Sequence, residues 1–102
     1  MRDEVRAFAQ AMETRMAEFD EKKGEDSWKQ LDFLDAPPLL ARLQEKTQSL
    51  VAAQNELFLA AGRKVPRTDL EPIRKKILQV AADVGNYAML VADVTGALPD
   101  SE

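Results

Sequence analysis

Asp83 and Asn86 stand three residues apart in "KKILQVAADVGNYAMLVAD" (75–93), an otherwise apolar, small-residue stretch. Residues at that spacing share one face of a helix, so a carboxylate and an amide are delivered to the same place. The chain holds no histidine and no cysteine. Zinc sites of the usual kind, thiol nucleophiles and an imidazole base are thereby excluded. Any catalysis rests on carboxylates, lysines and an oxygen-loving cation such as Mg²⁺. The acids that could join Asp83 as ligands are Glu45, Asp93 and Glu56.

The elements that must position these groups are helices. The 102 residues are 45% hydrophobic and 31% charged with only four glycines, a composition that favours one well-patterned helical domain over residues 1–102. Val5, Phe8, Met12, Met16 and Phe19 recur at three- and four-residue steps and predict a first helix over about 2–20. Gly24 and a dense mix of charges predict a long loop after it, with one short turn near 31–34. Pro37 and Pro38 suit the first turn of a second helix, whose stripe is Leu39/Leu40, Leu43, Leu50 and Leu57, with Gly62 as its stop. Thr68 and Glu71 have the spacing of a capping box for a third helix reaching about Leu98. Its stripe, Ile73, Ile77, Val80, Val84, Tyr87, Val91 and Val94, has the period of a bundle seam. Two helices this long exceed what the rest of one chain can cover, so the expected architecture is an all-α bundle of three long helices completed by dimerisation.

The formal charge is −4, but residues 63–76 carry six basic and two acidic side chains, a local +4 that leaves −8 elsewhere. That balance argues against a general nucleic-acid binder; the basic stretch reads as a solvated face or as a phosphate-attracting one. No apolar run approaches 18 residues and "MRDEVRAFAQ" lacks a signal-peptide core, so a cytoplasmic protein without membrane association is expected.

"LLARLQEKTQSLVAA" followed by "ILQVAADVGNYAMLVAD" resembles the all-α nucleoside triphosphate pyrophosphohydrolases of the MazG-like superfamily. There, two helices carry ExxE and ExxD pairs that hold Mg²⁺ against a triphosphate, and water attack releases pyrophosphate. "METRMAEFDEKKGEDSWKQLD" is similar to the helix and Lys/Gly/Trp loop of short bacterial and phage members. The resemblance implies a nucleotide site using Lys23, Trp28, Lys29 and Asn86, although Trp28 also reads as a cover for the end of the core. It also implies Mg²⁺ as cofactor in an active member, and a homo-oligomer, dimer or tetramer.

The metal motif is altered. Its first pair falls on Lys46 and Ser49 and its second on Val80 and Asp83, so one carboxylate of four is kept, with Glu45 as a neighbouring acid. Val80 continues the apolar seam, and Lys46, between Leu43 and Leu50, should point inward and pair with Asp83. Three functions stay open: a homologue that binds a nucleotide or nucleotide-like ligand without cleaving it, an active pyrophosphohydrolase with an altered site, and a helical partner-binding dimer with no small ligand.

Overall fold

Two prolines and two left-handed residues set the helix boundaries. The computed structural model describes residues 1–23, 31 and 33–99, with the side chains of Lys22, Lys23 and Phe33 excepted. Among these residues there are three long helices and no strand: α1 (Asp3–Lys23), α2 (Ala36–Gly62) and α3 (Arg67–Val94), with a 3-10 turn at Phe33–Asp35 before α2. Pro37 and Pro38 occupy the first turn of α2, where a missing N–H costs little. α2 ends at Gly62 as expected, yet the left-handed residue is Lys64, at φ 57°.

Three boundaries differ from the sequence pattern. α1 runs to Lys23, one turn beyond 20. α3 starts at Arg67, and its N-cap is Pro66 without a side-chain cap. The Asp69 N–H donates to the Pro66 carbonyl at 2.9 Å. Thr68 is thus already inside the helix, and Glu71 pairs with Arg74 at 3.1 Å instead of closing a capping box. α3 stops at Val94, short of Leu98, because Gly96 turns left-handed at φ 77°. Ala97 N–H then reaches the Ala92 carbonyl and Gly96 N–H the Asp93 carbonyl, a Schellman termination.

α2 and α3 pack as an antiparallel hairpin, and α1 lies against α3 at Asp83, Gly85 and Asn86. The stripe residues Ile73, Ile77, Val80, Val84, Tyr87, Val91 and Val94 are half-buried. Leu39 turns inward and Leu40 outward, and Val5 is exposed. At Gly85 the helices approach closely, and a Cβ there would lie 3.1 Å from Phe8 and 3.2 Å from Met12.

The buried apolar set among the described residues is small: Leu39, Ala53, Leu70, Ala82 and Leu90. The chain exposes 7837 Å², whereas a compact monomer of 11.4 kDa exposes roughly 5,800 Å². Its radius of gyration is 15.8 Å, against about 13 Å for a compact domain of this length. α3 also holds an 18-residue window of mean hydropathy 1.2, apolar and long enough to cross a membrane, of which 22% is buried.

Candidate functional site

The most buried row of α3 is polar at its centre. Asp83 and Asn86 lie with Ala82 and Leu90 on the side that meets α1 and α2. Three contacts within two turns of α1 hold the helices together here. Phe8 and Met12 cover Gly85, and Asn86 Nδ2 donates to the Met12 carbonyl at 3.0 Å. Arg15 grips Asp83 with a fork, Nε to Oδ1 at 2.8 Å and Nη2 to Oδ2 at 2.9 Å. Planar, charge-assisted pairing of this kind is the strongest hydrogen-bonded contact available to a carboxylate.

Lys46, from α2, completes the cluster. Its Nζ lies 3.3 Å from Asp83 Oδ2, so the inward pairing expected from its position between Leu43 and Leu50 is formed. Glu18 takes the third Arg15 nitrogen, Nη1, at 2.7 Å. Two cations and two carboxylates therefore sum to zero. The Asp83 side chain is 11% exposed, Arg15 29% and Lys46 37%. Burial by itself would raise the Asp83 carboxyl, but the hydrogen bonds and charge of Arg15, followed by those of Lys46, hold it below the ordinary carboxylate range. The same Asp83 contact raises Arg15 against a smaller opposing effect of burial.

Arg15 was not among the residues singled out by the metal-motif pattern. Its signal is positional: it stands three residues after Met12 and four before Phe19, inside the half-buried stripe of α1. A charged residue in an apolar stripe needs a partner on the facing helix.

The other sequence candidates do not converge on Asp83. The Glu45 carboxylate is exposed and pairs with Arg42 at 3.2 Å. Ser49 is exposed and returns its hydroxyl to the Glu45 carbonyl at 3.2 Å. Val80 is half-buried in the seam, Asp93 is exposed, and Glu56 sits 3.7 Å from Lys76. Trp28 and Lys29 lie outside the described residues, as does the side chain of Lys23. Among the described residues, no three Asp, Glu, His or Cys side chains come together as a metal-binding group. The donor set does not fit Mg²⁺, because both Asp83 oxygens already accept from cations and, among the described residues, no second carboxylate shares the position.

A cavity of about 330 Å³ opens beside this cluster, between α1, α2 and α3. Arg15, Lys46, Asp83 and Asn86 form its polar end, and Phe19 and Tyr87 belong to a largely apolar remainder. The volume is at the lower bound for small-molecule sites, about 300–1,000 Å³. Asn86 is buried, and its Oδ1 has no hydrogen-bond partner. Donation from Nδ2 to the Met12 carbonyl fixes which way the amide is turned, so the unpaired atom is an acceptor. Unpaired buried acceptors are rare in folded proteins.

No family model matches the chain, and neither a curated protein nor a solved structure matches it significantly.

Proposed function

We propose that this chain is a MazG-like all-α scaffold, working in the cytoplasm, whose cavity binds a nucleotide or nucleotide-like ligand without metal-dependent hydrolysis. The observation that carries this is the occupation of Asp83. It is the one acid kept from the family motif, and Arg15 and Lys46 hold both of its oxygens. A cation-held carboxylate cannot also ligate Mg²⁺ without ejecting two positive side chains.

The chemistry of the cavity favours ligands of low charge. Its ion cluster is neutral, so nothing there offsets the several negative charges of a triphosphate. An apolar wall with Tyr87 and Phe19 suits a flat heterocycle, and unused N–H groups of Arg15 and Lys46 suit a single phosphate or a sugar hydroxyl.

The test is a thermal-shift panel of nucleosides, nucleoside monophosphates and triphosphates with and without Mg²⁺, run beside a pyrophosphate-release assay. A ligand that binds only the native state raises Tm. The expected result is a rise with nucleosides or monophosphates that is indifferent to Mg²⁺, and no pyrophosphate. Failure of every compound at millimolar concentration overturns the proposal. Mg²⁺-dependent pyrophosphate release overturns it in favour of an active enzyme with an altered site.

A further inference from the structure

The Glu56–Lys76 bridge marks one flank of the α2–α3 hairpin. Phe58 and Arg74 each stand two residues from a bridge partner. At about 100° per residue they lie about 160° round their helices from it, and so share the opposite flank. Seven-residue steps extend that flank to Val51 on α2 and to Arg67 and Ala81 on α3, and Leu78 adjoins it one turn from Arg74. No acid stands on these lines, and the apolar side chains are open to solvent: Phe58 is 75%, Val51 51% and Leu78 49% exposed. Arg63 and Lys64 in the link and Arg67 at the start of α3 have no acidic partner among the described residues. Arg74 pairs with Glu71.

We propose that this flank docks on a bilayer surface rich in anionic lipid. Charge selects the occupant. The chain carries −4 overall, yet residues 63–76 sum to +4, so an anionic surface attracts the end of the hairpin, repels the rest and orients the molecule. Hydrophobicity then selects among anionic surfaces. Phe58, Val51 and Leu78 gain nothing from a nucleic-acid backbone. The boundary between headgroups and acyl chains accepts them, beside phosphates that meet the arginines. α3 also holds the window of mean hydropathy 1.2, of which 22% is buried, more apolar surface than the described fold covers. A surface contact needs no spanning helix, so it departs from the sequence expectation of no membrane association without a longer apolar run. Asp83 lies one seven-residue step from Lys76, on the bridged flank, so docking leaves the cavity open and is independent of any ligand there.

Sedimentation of the full chain with vesicles tests it, using phosphatidylcholine alone and phosphatidylcholine mixed with phosphatidylglycerol. Partition should be at least about ten-fold stronger on the anionic vesicles at about 0.1 M salt, and should fall several-fold at about 0.5 M. Phe58→Ser, at an exposed position, should weaken it about ten-fold. Arg63→Gln with Arg67→Gln should weaken it about 25-fold, about five-fold for each cation. Arg2→Gln with Arg6→Gln removes equal charge from exposed N-terminal sites and should change it less than about two-fold. No partition into anionic vesicles overturns the proposal, and so does an equal loss from the two arginine pairs, which reduces the effect to net charge. Equal partition into both kinds of vesicle, or binding to duplex DNA stronger than to vesicles, overturns it as well. Because the chain lacks cysteine, a nitroxide at Val51→Cys gives a second reading that leaves every cation in place. On anionic vesicles that label should become more accessible to oxygen and less to a water-soluble nickel chelate, while one at Glu13→Cys on α1 should not. An unchanged label at Val51→Cys overturns the proposal.

Discussion

Arg15 and Asp83, 68 residues apart in the chain, meet through two hydrogen bonds of 2.8 and 2.9 Å across the α1–α3 contact. Lys46 approaches the same carboxylate from α2 at 3.3 Å. A single acid therefore ties all three helices together. The two cations are not equal: Arg15 supplies a fork and Lys46 one longer contact from a head that water reaches.

Unequal contacts predict unequal losses. Arg15→Met should destabilise the fold by about 2–4 kcal/mol, because it leaves a nearly buried carboxylate with one partial partner. Lys46→Met should cost only about 0.5–1 kcal/mol, as its head is screened by solvent. Arg15→Met, Lys46→Met and Asp83→Leu together should recover most of the loss. Urea unfolding measures all three, and a Lys46→Met loss exceeding that of Arg15→Met would reverse the assignment.

The depressed Asp83 carboxyl makes stability pH-dependent with a definite sign. Its folded-state pKa lies below the ordinary 3.8, so its contribution is fully present well above that value. The contribution is lost as pH falls through 3.8 toward the folded-state pKa, where protonation breaks the Arg15 fork. Asp83→Asn should flatten this part of the stability profile between about pH 5 and 2, measured as the difference in urea midpoint between the two proteins.

Close packing at Gly85 predicts intolerance to branching. Gly85→Val would drive two methyl groups into Phe8 and Met12, which already lie 3.1 and 3.2 Å from a bare Cβ. A loss of about 1–3 kcal/mol is expected. In a solvent-facing helix interior, replacing glycine by valine would be mildly favourable. A stabilised Gly85→Val would mean that α1 does not dock as described.

Building a Mg²⁺ site at Asp83 requires removal of both cations that hold it. Lys46→Glu alone leaves Arg15 on Asp83, and Ser49→Glu adds an exposed carboxylate that does not converge. Arg15→Gln with Lys46→Glu should free Asp83 and place a second carboxylate opposite it, so that Mg²⁺ at about 10 mM raises Tm by roughly 2–4 °C in this double variant and not in either single one. Equal Mg²⁺ responses in the wild type would show that ligands come from elsewhere.

The pattern of apolar residues carried some of this arrangement and missed some for identifiable reasons. Lys46 interrupts the Leu43–Leu50 spacing, and a cation held inward implies a carboxylate, so its pairing with Asp83 could be anticipated. Arg15 obeys the same rule on α1 but was hidden by the methionines and phenylalanines around it. The α3 stripe reads as a seam and its residues are half-buried, but hydropathy marks a face without saying what covers it. Thr68 and Glu71 have capping-box spacing, but Pro66 is the N-cap, two residues before Thr68, and fixed the boundary. Leu98 and Pro99 looked like a helix end, and Gly96 acted first through its left-handed backbone.

The bridges between α1 and α3 close loops of 68 and 74 residues, whereas the hairpin closes through a link of four residues between Gly62 and Arg67. Short-range pairing forms early and long loop closure late, which predicts the hairpin as the folding nucleus and α1 as the last element to dock. Because α1 supplies one wall of the cavity, the cavity exists only after that final step. In amide exchange α1 should open on its own, while the hairpin exchanges only with deeper unfolding. A bound ligand would therefore act as a latch on the final folding step, slowing exchange in α1 before it slows exchange anywhere else.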